Sequence, residues 1–242
     1  MAIVQIEVVG APSNGADPAV TTLNFGTATV SGELIAVAVF VQGTNGNDPT
    51  VTDSAAQSYT KAYGTKPSST QNALLYFKQN SASGVTSVTV TNVLGDNKGG
   101  AIAGHYTGVA TSGALDVAAN PALSANTPWT SPTVTTTQSE EVLIGGDVGI
   151  RNTNNADFAA SGGWTQDSKL LSTANFDGSN GHGMAYAHQL VSSIQTNVAN
   201  TGTNPLSGVD NYPGIATFKA LILGEPPVPV RRMVSVIHTP AW

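Results

Sequence analysis

The sequence predicts an all-β, antiparallel domain of the β-sandwich, jelly-roll type. Short runs of β-branched and aromatic residues alternate along the chain with clusters of Gly, Asn, Asp, Ser and Pro, which is the pattern of strands separated by turns. No stretch keeps a helical period. Only 10% of the residues are charged, against about 25% in average proteins, and amphipathic helices usually carry charges on their solvated face. A chain of 242 residues without cysteine is long enough to bury a core without disulfides.

Strands are predicted, in chain order, at Ala2–Val9, Val20–Phe25, Glu33–Val41, Ser58–Tyr63, Ala73–Gln79, Val85–Asn92, Gly100–Thr107, Pro132–Thr137, Glu141–Ile150, Gly183–Val191 and Gly214–Leu223. Alternation is clearest at Val85–Thr91, where a slip near Ser87 indicates a bulge or a strand edge. The runs Glu33–Val41 and Val142–Ile150 are more continuously apolar. We expect them to be central strands covered on both faces, or strands that face a second subunit. Ser193–Ala199 has room for one helical turn.

The end of the chain differs in composition from the rest, so we divide the sequence into a sandwich domain, residues 1–224, and an extended C-terminal arm, residues 225–242. The arm begins with Glu225-Pro-Pro-Val-Pro-Val230, which favours a polyproline-like backbone, and continues as an apolar segment. That segment either returns to its own domain as a last strand or docks on a neighbouring subunit. For docking, the predicted contact residues are Arg231, Arg232, Met233, Val236, Ile237 and Trp242.

Charge and hydropathy argue against two classes of partner. The net charge is −6, and Arg231-Arg232 is the only adjacent basic pair, whereas nucleic-acid binding needs clustered positive charge. The longest apolar run, Leu34–Val41, is too short to cross a bilayer. Residues Met1–Gly10 lack a basic region followed by an apolar run, so we expect no signal peptide. Neither nucleic acid nor a membrane is an expected partner.

No catalytic, cofactor-binding or metal-binding residue is predicted. A Ser-His-Asp triad needs a nucleophile on a sharp turn, and the sequence has no G-x-S-x-G elbow. His182 and His188 would share one face of a strand, but no third zinc ligand is evident. Glu140 and Glu141 would point to opposite faces, which does not build a glycosidase pair. We therefore expect the protein not to be an enzyme.

Several loop and strand residues have two interpretations. Asn45–Asp48 and Asp177–Asn180 carry oxygen ligands suited to Ca²⁺, although turn hydrogen bonding explains them equally. Gly145-Gly146 is typical of a bulge or of close strand packing. Trp129 lies in a predicted loop and is the aromatic residue we expect at the surface as a ligand contact. The strand aromatics are expected in the core instead, among them Tyr59, Tyr63, Tyr76, Phe77, Trp164 and Tyr186.

A family resemblance accompanies this strand order. Its elements are Val30–Val39, Ser58–Tyr63, Leu74–Gln79, Val85–Thr91, Gly104–Gly108, Thr135–Thr137 with Glu141–Ile144, Gly163-Trp164 and Ala185–Val191. Together they resemble a loose group of jelly-roll-type β-sandwich proteins of tailed phages and some bacteria, over roughly residues 20 to 222. The resemblance is one of fold pattern and carries no catalytic residues. The Pro-rich arm is not part of it.

The resemblance implies a virion structural protein, a capsid decoration or minor capsid component. Its expected partners are copies of itself and the major capsid or another virion protein, and its location is the virion after synthesis in the host cytoplasm. A stable, cysteine-free sandwich with a neutral polar surface and a docking arm suits that role. The alternative is a carbohydrate-binding or host-attachment module, on a phage tail or a cell surface, that contacts a host surface glycan.

Overall fold

The computed structural model describes residues 2–12, 19–42, 48–68, 71–92, 98–125, 128–150, 158–170, 183–203 and 210–222. Over these ranges the regular secondary structure is entirely β, with no helix. The prediction of an all-β, antiparallel sandwich is confirmed, because all the strand pairs are antiparallel and apolar side chains fill the spaces between the sheets. The narrower jelly-roll assignment stays a prediction.

The strands, in chain order, are β1 (Val4–Pro12), β2 (Ala19–Asn24), β3 (Leu34–Gln42), β4 (Thr50–Asp53), β5 (Thr60–Ser68), β6 (Gln71–Lys78), β7 (Ser87–Asn92), β8 (Lys98–Thr107), β9 (Leu115–Ala119), β10 (Ser124–Ala125), β11 (Trp129–Thr130), β12 (Glu141–Ile150), β13 (Ala159–Ala160), β14 (Thr165–Leu170), β15 (Gly183–Val191), β16 (Thr201–Thr203), β17 (Asp210–Asn211) and β18 (Gly214–Lys219).

The strands form four sheets that pack on one another as layers. A three-stranded sheet, β2-β7-β4, covers a five-stranded sheet of order β1-β8-β3-β6-β5. The other face of the five-stranded sheet packs on a seven-stranded sheet built around β12, which pairs with β15 on one side and with β18 and β17 on the other. A small sheet, β11-β16-β13, and the segments beside it cover the far face of the seven-stranded sheet.

The continuous apolar run of β3 is explained by this stack. Its even-numbered side chains, from Leu34 to Phe40, lie in the core shared with the seven-stranded sheet. Its odd-numbered side chains, from Ile35 to Val41, lie in the core shared with the β2-β7-β4 sheet. Because side chains alternate between the faces of a strand, a strand buried on both sides must be apolar at nearly every position. The prediction that β3 is central and covered on both faces is confirmed.

The same reasoning holds for β12, whose predicted bounds Glu141–Ile150 agree with the structure. Val142, Ile144 and Val148 face the five-stranded sheet, whereas Leu143 faces the opposite way, toward Trp164. Across the space between the two large sheets, the ring of Phe77 on β6 meets Phe218 on β18 edge-on, with 5.3 Å between centroids. This contact joins the two sheets across the core.

Most of the predicted strands exist with shifted ends, and three predictions were wrong. Pro132–Thr137 is not a strand and contributes only the isolated bridge from Val134 to Val198. Ser193–Ala199 holds no helical turn, because Gln195 is bonded across to Thr136, which ties this segment to a neighbouring one instead of to itself. The slip near Ser87 is neither a bulge nor a sheet edge: it marks the start of β7, the middle strand of its sheet, which pairs in continuous register on both sides.

The strands that the sequence pattern missed are short or polar. β14 reads Thr-Gln-Asp-Ser-Lys-Leu and lies at an edge of its sheet, with a register shift between Gln166 and Ser168. β9, Leu115–Ala119, is a second edge strand with a shifted register. Polar side chains and bulges are common devices on edge strands because they discourage pairing with other chains, and they also erase the apolar alternation that identifies a strand.

One prediction tests burial on both faces of β3. Val39 and Phe40 are neighbours that face opposite layers, and they are 1% and 0% exposed. We expect Phe40→Ala to lower the free energy of unfolding by about 3–5 kcal/mol, and Val39→Ala by about 1–3 kcal/mol. Urea denaturation measures both. The control, Leu123→Ala, removes a side chain that is 56% exposed and should change stability by less than about 0.5 kcal/mol. A negligible cost at Val39 would mean that this face is solvated.

Candidate functional site

The first cluster of ionisable groups surrounds His105, which is 0% exposed. Its Nδ1 lies 2.8 Å from Oε2 of Glu33, and its Nε2 lies 3.9 Å from Oε2 of Glu7. The Phe25 ring packs against the imidazole with 4.7 Å between centroids. Glu7 is on β1, His105 on β8, and Glu33 just before β3, so this cluster ties three neighbouring strands together.

Glu7 also anchors the turn that follows β2. Its carboxylate accepts hydrogen bonds of 2.9 Å from the backbone N–H groups of Gly26 and Thr27. Burial acts in the opposite direction, but these two hydrogen bonds and the neighbouring His105 lower the pKa of Glu7 below its usual value. The arrangement fastens an outer sheet to the five-stranded sheet.

A second cluster pairs His188 on β15 with Asp167 on β14. The carboxylate of Asp167 lies 2.8 Å from Nδ1 of His188. Asp167 falls within the register shift of β14, and that bulge is what turns its side chain toward the histidine. The Tyr106 ring meets His188 edge-on, and its hydroxyl lies 2.9 Å from the hydroxyl of Tyr186. The polar chain thus crosses from the seven-stranded to the five-stranded sheet.

An aspartate that orients a histidine supplies two of the three members of a hydrolytic triad. The third would be a hydroxyl nucleophile beside the other ring nitrogen of the histidine. Among the described residues, Asp167 is the hydrogen-bond partner of His188, and the imidazole is only 9% exposed. The geometry therefore matches a tie between the neighbouring strands β14 and β15, and the absence of enzymatic activity stays a prediction. His182 lies outside the described residues.

A third cluster brings two carboxyl groups together at the start of β12. Glu140 is exposed and Glu141 is buried, as their predicted opposite orientation requires. Glu141 lies beside Asp116 of β9, which accepts hydrogen bonds from the backbone and the hydroxyl of Thr137. Lys219 lies 3.6 Å from Asp116. Burial raises the pKa of Glu141 to about 7, and the negative charge of Asp116 adds to the shift.

Asp147, farther along β12, is 1% exposed, and neither carboxyl oxygen makes a hydrogen bond of ordinary geometry. It borders a cavity of about 10 Å³ that Tyr63 and Tyr212 also line, a volume close to that of one water probe. Burial raises the pKa of Asp147 to about 8, and the backbone N–H groups of Val148 and Tyr212 oppose the shift only in part. The group is therefore held neutral near pH 7.

The prediction that Trp129 is a surface ligand contact was wrong. Trp129 is 1% exposed and lies on β11. It packs so tightly on Gly202 of β16 that a Cβ there would overlap the indole ring. A loop-like sequence that contains Pro128 concealed a short strand of the outermost sheet. The prediction that the strand aromatics lie in the core is confirmed for five of them, which are at most 7% exposed: Tyr63, Tyr76, Phe77, Trp164 and Tyr186.

Two glycines of β12 show the close packing that the sequence predicted. A Cβ on Gly145 would overlap the side chain of Asn200, and one on Gly146 would press on the Tyr63 hydroxyl. Asn200 uses the space to donate a 3.2 Å hydrogen bond to the Gly214 carbonyl. These contacts join the seven-stranded sheet to the layers on both of its sides.

The remaining predicted sites fall largely outside the described residues. That is the case for Arg231, Arg232, Met233, Val236, Ile237 and Trp242, and for both calcium-type loops except Asp48. Asp48 forms a 2.5 Å ion pair with Lys61. In the part of the chain that the structure describes, no three His, Asp or Glu side chains are grouped as metal ligands, and no helix is long and apolar enough to span a membrane.

Among the described residues, most of the exposed large apolar side chains lie at one end of the stack. We call it the Gly108 end: β8 finishes there at Thr107, and β12 begins there at Glu141. The last described residues also lie there, since Leu221 donates a 2.7 Å hydrogen bond to the Gly108 carbonyl. Of the described large apolar side chains that are exposed, only Leu123 lies at the opposite end, and the others are Val4, Ile6, Val30, Leu190, Ile194 and Ile222.

Two grooves open near this end. The end groove, of about 230 Å³, is lined by Ala2, Ile3, Glu140, Glu141, Leu190, Val191 and Ser192. The polar groove, of about 520 Å³, is lined by Ser58, Thr60, Phe77, Lys78, Gln79, Asn80 and Thr111. Sequence analysis missed both, because each combines residues that are distant along the chain and carry no motif.

Comparisons with protein-family models, with curated proteins and with solved structures give no match to this chain.

The two raised carboxyl pKa values predict how stability depends on pH. Asp147 and Glu141 ionise near pH 4 in the unfolded chain but at about 8 and about 7 in the folded protein. The folded state therefore holds more protons between these limits, and the free energy of unfolding should fall as pH rises from about 4 to 8. Each group contributes a slope of at most about 1.4 kcal/mol per pH unit.

The matched variants are Asp147→Asn and Glu141→Gln, which keep the shape of the side chain and remove its ionisable carboxyl group. Denaturation between pH 5 and pH 8.5 should show a shallower decline for Asp147→Asn than for the natural sequence. Asp48→Asn is the control, because Asp48 lies at the surface in an ion pair with Lys61. A natural protein as stable at pH 8.5 as at pH 5 would contradict the prediction.

Proposed function

We propose that this protein is a virion structural protein, a decoration or minor capsid component that assembles with copies of itself and with a shell protein. The observation that carries the proposal is the apolar Gly108 end. Six of its large apolar side chains are between 39% and 72% exposed: Val4, Ile6, Val30, Leu190, Ile194 and Ile222. Concentrated apolar surface on a soluble domain marks an interaction site, and burying it contributes about 25 cal/mol per Å².

The interior supports the same proposal. The buried pair His105–Glu33 joins β8 to the start of β3, and the buried pair His188–Asp167 joins β15 to β14, so these groups stabilise the scaffold. The chain has few charges and no cysteine, which makes its stability independent of redox conditions. A scaffold of stacked sheets, with buried polar contacts between strands and exposed apolar side chains at the Gly108 end, suits a subunit that is fixed in a particle.

A second candidate is a carbohydrate-binding or host-attachment module, which the polar groove favours. Its lining offers hydroxyl and amide groups from Ser58, Thr60, Gln79 and Asn80, the kinds of group that hydrogen-bond sugar hydroxyls. Phe77, the aromatic residue of the lining, is only 7% exposed, so little ring surface is open for stacking. A glycan array separates the two candidates: specific binding that is lost in Asn80→Ala would favour the module.

Assembly through the Gly108 end is testable in solution. The full chain should sediment as an oligomer at micromolar concentration. The double variant Val4→Asp/Ile222→Asp should sediment as a monomer, because it places charge on the exposed surface that the proposed interface would cover. Leu123→Asp, at the opposite end, should leave the oligomer intact. Mass spectrometry of virus particles from the source culture should then detect this chain. A full chain that stays monomeric, or particles that lack it, would overturn the proposal.

A further inference from the structure

The end groove lies beside the point where the described chain ends. Ala2 and Ile3 form one wall, and they adjoin Gly108, where a Cβ would collide with the Ala2 carbonyl. The same Gly108 accepts the hydrogen bond from Leu221. The described chain therefore ends next to the end groove, at the Gly108 end of the stack.

The groove has a definite chemistry. Ala2, Ile3, Leu190 and Val191 provide apolar walls, and the two acidic residues Glu140 and Glu141 border it. No lysine or arginine is among the described residues that line it. Leu190 is 48% exposed, so this apolar surface lacks a cover within the described part of the chain. The groove suits an apolar segment that carries positive charge.

One segment of this chain has that chemistry. The chain's only adjacent basic pair, Arg231-Arg232, is followed directly by Met233-Val-Ser-Val-Ile237. Alternating side chains of an extended segment point to opposite sides, so Met233 and Ile237 share one side with Ser235. The two arginines of the segment complement the acidic residues that border the end groove, and its apolar side chains complement the apolar walls.

The length of the connection decides which copy the segment meets. Nine positions separate Ile222 from Arg231, and Pro226, Pro227 and Pro229 stand between them. Pro-rich sequence favours a semi-rigid polyproline conformation of about 3.1 Å per residue, which would carry Arg231 about 28 Å from the exit. A semi-rigid spacer of this length favours the groove of a neighbouring copy over the groove beside its own exit.

We infer that the end groove of one copy binds residues 231–237 of a neighbouring copy, as a reciprocal arm exchange that holds the oligomer together. The inference rests on the self-assembly part of the proposed function and specifies its contact. Arg231 or Arg232 pairs with Glu140, and the apolar side chains of the segment cover Leu190.

Cysteine cross-linking tests which copy is contacted, and the chain suits it because it has no native cysteine. Ser192→Cys places a thiol at the groove and Ser235→Cys places one in the segment. Mixing the two single variants under mild oxidation should give a covalent dimer. Ala122→Cys, exposed near Leu123 at the opposite end, should give none with Ser235→Cys. A cross-link found only within one chain, in the double variant, or no cross-link at all, overturns the inference.

Charge reversal tests the groove chemistry in the full chain. Leu190→Glu and Arg231→Glu/Arg232→Glu should each weaken the oligomer at least tenfold in sedimentation equilibrium. Leu123→Glu is the control, since that leucine is similarly exposed, at 56%. Adding Glu140→Arg to the double arginine variant should restore part of the affinity. If the natural chain is oligomeric and Leu190→Glu is equally oligomeric, arm exchange is wrong while self-assembly stands. A monomeric natural chain overturns both.

Discussion

Burial of both faces of the five-stranded sheet is the constraint on which the rest of this structure depends. β3 has no solvated side, so Leu34–Val41 must be apolar throughout, and an apolar layer must be supplied above and below. The β2-β7-β4 sheet supplies one and the seven-stranded sheet the other. β12, in the seven-stranded sheet, is likewise covered by apolar layers on both faces. Stacking in this way leaves few positions for charged residues, which accounts for the charge-poor composition.

The ionisable groups that the stack does bury are placed where layers or strands must be joined. Burying such groups is costly unless they are paired, and most are: His105 contacts Glu33, and His188 contacts Asp167. Such directional contacts join neighbouring strands of one sheet, β8 to the start of β3 and β14 to β15. Asp147 and Glu141 are exceptions, because each has a carboxyl oxygen without a hydrogen bond and burial raises the pKa of both.

One end of the stack brings together the features on which the proposed assembly rests. At the Gly108 end, exposed apolar side chains, the end groove and the exit of the C-terminal segment come together. In the proposed assembly, an interface and an exchanged segment at the same place would reinforce each other, because a linked second contact acts at high effective concentration. The polar groove lies on the same part of the molecule, so ligand binding there and assembly would influence one another.

The sequence by itself determined the all-β class, the central position of β3 and β12, and the close packing at Gly145 and Gly146, since these follow from apolar continuity and from residue size. It did not reveal the burial of Trp129, the polar edge strand β14 or the end groove. Those depend on which distant residues meet: Trp129 is buried because Gly202 leaves room for its ring, and the groove joins residues 2 and 3 to residues 140, 141 and 190–192. Periodicity records how a strand faces its own layers, whereas contacts between segments far apart in the chain are decided only when the layers stack.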